Sequence, residues 1–439
     1  MPSGLLETFA GGKPLTVTLA GHVLDTDRVG PVAIRRGRRS ADTRPEAAVL
    51  GFSVYADGLD VLGRLPELGD ALTVELSAAM LTALGGGPTH ARRFTGTVTD
   101  VASRASAGVV SIIATGAKAR AARIPIGDVP WPAELDGARA ARILAALVAA
   151  DPSFTVLAGD PGTVTVVARD VDRQPVAALL DELAAYTGGD AWETRAGALV
   201  WRDARSRSDL NPTLTLAASN ILVDPEFTKD LDGLVTDLTV GYGTAEPQVE
   251  VRVRDTTAPI AALAARVSTP LAAEGDATAY AIEVVGRRAR PRWRVPDLPL
   301  DLLHTLDAAQ RLTLLAAEPG LLIALTGLPD PAPWSANQLW VEGWTETYTR
   351  NAWRMALAVS VRGLTGAQPR WIDVPATRIP GPGLPAQNVT WADAEFAGMS
   401  WLAMAGWWTE DRLGNRWADV PASLTWGTYP STTTWGDLP

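Results

Sequence analysis

From residue 14 to residue 124 the apolar positions alternate or cluster with the short period of β-strands. "PLTVTLAGHVLD", "PVAIRRG", "AAVLGFSVYA", "ALTVELSAAML", "RFTGTVTDVAS" and "GVVSIIATG" are separated by Gly, Pro, Asp and Ser. In "RFTGTVTDV", Phe94, Val98 and Val101 are apolar among threonines, which predicts a half-buried strand. A run of short strands with no helix between them points to a barrel or a sandwich.

The period then changes. "DGARAARILAALVAADP" places Ile143, Leu144, Leu147 and Val148 on one helical stripe, with Asp136 as the expected cap and Pro152 beyond the end. "FTVLAGDPGTVTVVARDV" reads as two strands around a turn. A second helix is expected from Gln174-Pro175, burying Val176, Leu179, Leu180 and Leu183 and stopping at Gly188-Gly189. "DAWETRAGALVWRDA" reads as a hairpin turning at Ala196-Gly197. These elements form an α+β unit over residues 126–210.

The β pattern returns at residue 211 with "LVTDLTVGYG", "VEVRVRD" and "AYAIEVVGRR". One helix, "LPLDLLHTLDAAQRLTLLAA", interrupts it. "GLLIALTGL" and the long hairpin "NQLWVEGWTETYTRNAWRMALAVSVRGL" follow; Met355, Leu357, Val359 and Val361 share one parity, as one sheet face requires. Residues 369–439 are different, being rich in Pro, Gly, Thr and Trp without a sustained period. There "WIDVPA" at Trp371 recurs as "WADVPA" at Trp417, and Trp417, Trp426 and Trp435 are nine apart. The repeat is too short to stack as a solenoid.

Composition narrows the picture. The chain has 439 residues, which suggests two to four domains, and a net charge of -10. No apolar run reaches the roughly 18 residues of a membrane helix, and the N-terminus does not read as a signal peptide. There is no cysteine, which excludes disulfides and thiolate metal sites. His22, His90 and His304 lie far apart in sequence and read as solvated or locally bonded. Catalytic motifs are not found, neither a nucleophile elbow nor a metal-binding helix nor a phosphate loop. The acidic pairs Asp230/Asp232, Asp393/Glu395 and Glu410/Asp411 read as solvated turns, and the sequon at Asn388 has no secretion signal to give it meaning. No catalytic residue, cofactor or metal is therefore expected. Two features stand out against this background. Eight of the 16 tryptophans, Trp371, Trp391, Trp401, Trp407, Trp408, Trp417, Trp426 and Trp435, lie after residue 370. Five arginines, Arg35, Arg36, Arg38, Arg39 and Arg44, crowd into "IRRGRRSADTR" of an acidic chain. The cluster has no interleaved aromatic platform for nucleic acid. It reads as a strand edge and loop pairing with acidic groups of this chain or another, orienting an interface more than stabilising it.

The stretch "VGPVAIRRGRRSADTRPEAAVLGFSVYADG" resembles the opening module of siphophage tail hub proteins of actinobacterial phages. Arg36-Gly37-Arg38, Leu50 to Tyr55 and Asp57-Gly58 fit that pattern. "RFTGTVTDV" is similar to a later strand, "LLDELAAYTGGDAWETRAGALVWRD" to the inserted α+β unit, and "WVEGWTETYTRNAWRMALAVS" to the closing hairpin, with Trp353 where that family commonly has Trp. The resemblance spans residues 15–365. It implies two tube-like β-barrels, 1–125 and 211–368, flanking an inserted α+β domain, 126–210; residues 369–439 read from their own composition and repeat as a Trp/Pro-rich C-terminal arm, with a small Trp-cored domain as the alternative. It also implies a homotrimer whose six barrels match a six-fold tail tube to a three-fold tip. DNA would pass through the lumen without specific binding. Expected partners are distal tail, tube and tip or fibre proteins, and the expected location is the virion tail tip, without membrane insertion. Within such a ring the arginines would serve an interface, and the tryptophans would dock on a partner. The alternative is a carbohydrate-binding adhesin, because tryptophans stack on sugars. An enzyme with a wall-degrading domain comes third, since 369–439 is short and poor in catalytic pairs.

Overall fold

Strand alternation in the first third of the chain builds β1 (Leu15–Leu19), β2 (His22–Val23), β3 (Val32–Gly37), β4 (Glu46–Tyr55), β5 (Ala71–Leu76), β6 (Arg92–Arg104) and β7 (Val109–Thr115). The computed structural model describes residue 9 and residues 14–361, apart from 40–42, 128–129, 208–211, 230, 232, 257, 259–262, 290, 292, 296 and 329–336. The expected strand "ALTVELSAAML" ends at Leu76, where the Ser77 hydroxyl accepts from the Met80 amide and starts helix α1 (Ala78–Leu84).

The middle of the chain holds helix α2 (Asp136–Ala150), helix α3 (Val176–Thr187) and the hairpin β8 (Asp190–Glu193) and β9 (Leu199–Arg202), which turns at Gly197 with φ +81°. Two readings change here. Asp136 is no cap; it is buried and its Oδ1 accepts from the amides of Thr163 and Val164 at 2.6 and 3.0 Å, clamping the following loop. That loop replaces most of the two strands expected in "FTVLAGDPGTVTVVARDV". Only Thr165–Val166 pairs as a strand, because the backbone at Asp160-Pro161-Gly162 is pressed against Gly137 at the helix start, with no room there for a Cβ.

Next come β10 (Leu214–Ala217), β11 (Asp237–Tyr242), β12 (Val249–Arg254), β13 (Ala264–Ser268), helix α4 (Glu274–Arg288), β14 (Asp297–Asp301), helix α5 (Ala308–Ala316), β15 (Leu322–Thr326), β16 (Gln338–Thr349) and β17 (Ala352–Val361). The stretch "AYAIEVVGRR", expected as a strand, belongs to α4. Its stripe is Ala277, Ala281 and Val285, spaced by four and buried on β11–β13, with Glu274 and Asp276 at the positive end and Arg287 and Arg288 at the negative end. The helix expected over "LPLDLLHTLDAAQRLTLLAA" is confined to its second half. Asp307 and Gln310 form a reciprocal cap on α5, while "LPLD" is strand β14.

Twelve of these strands form one curled sheet, in the order β10-β15-β16-β3-β4-β7-β6-β5-β1-β2, with β17 along the other edge of β16 and β14 beyond it. The sheet is mainly antiparallel; β10 and β15 are parallel. Ile221, just after β10, bridges Leu300 of β14, so the later strands come back on themselves. One apolar cluster fills the concave side, drawing Val17, Leu50, Leu72 and Ile112 from the first strands and Leu298, Leu325, Trp344 and Leu357 from the last. Each such side chain contributes about 1.5–3 kcal/mol. A second cluster sits between α2, α3 and the β8–β9 hairpin, and begins at Ala117 and Ala121; a third lies between α4 and the β11–β13 sheet.

Candidate functional site

The parity of β3 decides where its arginines go. Arg36 shares the inward face of Val32 and Ile34 and is 2% exposed. Its Nη1 donates to the Glu193 carbonyl at 3.1 Å and its Nη2 to the Arg93 carbonyl at 3.3 Å. Burial pulls this guanidinium down, and Glu318 and Glu193 act against that pull. Arg35, on the other face, pairs with Glu46 at 2.8 Å, and Arg39 reaches the same carboxylate at 3.3 Å. Arg44 is exposed. The cluster is thus split: Arg36 is committed to the interior of its own chain, and Arg39 and Arg44 are on the surface.

Around Arg36 and Arg38 the structure gathers a buried charge junction between β3, β16 and the β8–β9 hairpin. Arg38 pairs with Asp190 and approaches Glu342 at 3.5 Å. Arg207 forks onto the two Glu342 oxygens at 2.8 and 3.0 Å and also reaches Asp190 at 3.0 Å. Ser360 donates to Glu342 Oε1 at 2.5 Å. Burial alone would raise the Glu342 carboxyl; Arg207 and Arg38 outweigh it and hold the group at about 2.

Four residues further along β16, Arg93 forks onto Glu346 at 3.2 and 2.7 Å and donates to the Leu315 carbonyl at 2.8 Å. Tyr348 and Trp353 complete the Glu346 shell at 2.5 and 3.0 Å, and burial with the adjacent Glu346 charge pushes the Tyr348 phenol up. Arg195 lies over the Trp344 ring at 4.7 Å and donates to the Leu314 carbonyl. Burial, then repulsion from Arg93, brings Arg195 down to about 9. Glu193 accepts from the amides of Ala48 and Lys118 at 2.6 and 2.7 Å, and its burial pushes the carboxyl up. The Lys118 ammonium, in turn, binds Asp181 and the Pro45 carbonyl.

Sequence reasoning found Arg36 and Arg38 but missed Arg93, Arg195, Arg207, Lys118, Asp190, Glu193, Glu342 and Glu346. A signal for one of them was present. Glu346 alternates with Trp344 and Tyr348, so it belongs to the face of β16 that carries the apolar cluster, whereas Glu342 falls at the register shift between Val341 and Gly343, where the alternation breaks. The junction fixes the inserted unit to the sheet, because leaving either member of such a pair alone in the interior is costly.

Beside the junction an open groove of about 750 Å³ runs between α5 and the end of the β8–β9 hairpin. Trp192, Leu312 and Leu321 line it, with Glu318 and with Arg202, which pairs with Asp160 at 3.0 Å. Among the described residues no group of three or more His, Asp or Glu is placed to hold a metal ion. His90 Nδ1 accepts from the Gly87 amide and His304 contacts Asp301, so both are locally bonded. The eight C-terminal tryptophans, Trp371 to Trp435, lie outside the described residues, as do Asp230/Asp232, Asp393/Glu395 and Glu410/Asp411.

No family model matches the chain, and no curated protein matches it. Solved structures do. A tail protein from Neisseria meningitidis matches with a TM-score of 0.57 at 14% identity, over 81% of this chain and 98% of that one. A 43 kDa prophage tail protein from Shewanella oneidensis matches with a TM-score of 0.54 at 13% identity, over 81% of this chain and 99% of that one. The chain shares the mainly β fold of these tail proteins.

Proposed function

We propose that the chain is a structural virion protein, the hub at the distal end of a phage tail, of the siphophage type that its sequence motifs resemble. The observation that carries this reading is the extent of the fold match. It takes in almost the whole of the Neisseria meningitidis tail protein and four fifths of this chain, so it is a match of architecture and not of one module. In this reading the early strands and the late strands are two tube-like barrels, three chains close a ring of six, and the ring adapts a six-fold tube to a three-fold tip. The shared apolar cluster and the β3–β16 pairing hold the two halves of the sheet rigidly to each other, which a ring element needs. The charge junction does the same for the insertion. A net charge of -10 suits a lumen through which DNA slides without being gripped. Contact surfaces are available: Tyr55, Val61, Leu65 and Leu68, on and around the β4–β5 connection, are each about half or more exposed. Arg39 and Arg44 are proposed as the interface arginines, and the C-terminal tryptophans as anchors of an arm that meets other tail components.

The test is electron microscopy of the purified full chain. Class averages with a three-fold ring of six similar lobes are expected. Monomers or two-fold particles at micromolar concentration would overturn the hub geometry.

A further inference from the structure

We propose that residues 370–376, "RWIDVPA", seat Trp371 in the groove between α5 and the β8–β9 hairpin of their own chain, so that the root of the C-terminal arm is latched before the arm extends. This rests on the reading of residues 369–439 as a tryptophan-anchored arm.

Three observations carry it. The first is the place where the chain leaves the described structure. β17 ends at Val361, opposite Leu339. Two residues earlier Val359 faces Val341, and Val341 in turn exchanges hydrogen bonds of 2.8 Å with Gly320 and Leu321, which line the groove. The exit is therefore two strand spacings, about 10 Å, from the groove rim. The ten residues from Val361 to Trp371 can span about 33–36 Å, so the tether is slack. A short tether of this kind holds its end at a local concentration on the order of millimolar.

The second is shape and polarity. Trp192, Leu312, Ala316, Pro319 and Leu321 offer apolar contact to an indole. Glu318 also lines the groove; its Oε1 accepts from the Arg195 amide at 3.3 Å, while its Oε2 is buried without a hydrogen-bond partner among the described residues, so a donor in the groove reaches it once the side chain turns outward. An indole N–H is a donor with no acceptor function, the complement of such an oxygen. The third is charge. Trp371 is flanked by Arg370 and Asp373, and the groove presents Asp160 and Glu318 beside Arg202. The second copy, "RWADVPA" with Trp417, has the same chemistry on a tether 46 residues longer, which leaves it for a partner.

Hydrogen exchange on the full chain tests this, comparing wild type with Trp371→Ala and Trp417→Ala. Trp371→Ala is expected to speed exchange in peptides covering residues 312–321 by about tenfold, with Trp417→Ala matching wild type. Unchanged exchange in Trp371→Ala overturns the latch, and so does an effect of Trp417→Ala in its place. Because the chain has no cysteine, a Thr313→Cys, Ile372→Cys pair treated with a short bis-maleimide gives an independent readout. A cross-linked monomer is expected; cross-linked dimers alone would show docking between chains and overturn the proposal. Pull-down of tail components by a chain ending at Gln368 reports on the arm reading itself, separately from groove exchange.

Discussion

Glu342 lies in β16 at the register shift between Val341 and Gly343, and it is fully buried. A carboxylate there is tolerable only because Arg207 forks onto it and Arg38 stands nearby. The consequence for pH has a definite sign. The folded-state carboxyl titrates at about 2, below its ordinary 4.5. Its contribution is therefore complete above about pH 4.5 and disappears as the pH falls toward 2. Glu342→Gln is expected to flatten the pH dependence of the urea midpoint in that window. At pH 7 it should cost about 3 kcal/mol, since two buried arginines, Arg38 and Arg207, are left to share the carboxylate of Asp190. An acid slope identical in variant and wild type would place the acid sensitivity elsewhere. The same residue-level logic was partly legible in sequence. Charge at the parity of the buried Trp344 and Tyr348 marks Glu346, and Arg36 at the parity of Val32 and Ile34 marks itself, but the bulge that places Glu342 was not legible. Their partners were not legible: Arg93 is 253 positions from Glu346 and Arg207 is 135 from Glu342.

At the scale of elements, the two halves of the sheet meet where β3 and β16 cross at Gly37 and Gly343, which pair directly. Gly37 has φ +80°, a region that side chains rarely adopt. A Cβ on Gly343 would lie 2.3 Å from the Arg36 carbonyl oxygen and 2.8 Å from the Arg38 amide nitrogen, both backbone atoms that cannot swing aside. Gly343→Ala is expected to lower stability by at least about 2 kcal/mol in chemical denaturation. Gly286→Ala is the contrast: that glycine is exposed in helix α4, a Cβ there would meet nothing within 4 Å, and the change should raise stability by about 0.5–1 kcal/mol. Equal effects at the two positions would contradict the close approach. Element patterns were read well where one face alone is buried. Phe94, Val98 and Val101 show how: a bulge between Val98 and Asp100 lets side chains three apart point the same way. The strand expected over helix α4 follows from its buried stripe, built from Ala277 and Ala281, which carry little hydrophobic contrast, beside Ile282, Val284 and Val285, which are β-branched and flank Glu283.

For the whole molecule, the split of the arginine cluster changes what assembly experiments should target. Arg36 and Arg38 hold the chain together, so removing them would test folding and not association. Arg39 is 62% exposed and shares Glu46 with Arg35, so its local pair is a weak one. Replacing Arg39 and Arg44 together by Ser is expected to weaken the proposed ring several-fold at 20–50 mM salt and little at 0.5 M, where surface charges are screened. Analytical ultracentrifugation at the two salt concentrations reads this. A variant that assembles like wild type at low salt would remove these arginines from the interface.

The sequence by itself determined the local grammar: a strand-rich beginning, helices near 136–150 and 176–187, a turn at Gly197, a closing hairpin, and a tryptophan-rich end distinct in composition. Those features follow from periodicity and from backbone preferences that act within a few residues. The tertiary structure alone decided that twelve strands make one sheet, that the first and last strands share one apolar cluster, and that a surface-looking run of arginines feeds a buried junction with acids more than a hundred residues away. Pairing of β3 with β16 joins segments some three hundred positions apart, and no short-range pattern encodes which distant strand will complete an edge. Only once that edge is closed does it become clear which charges water can still reach.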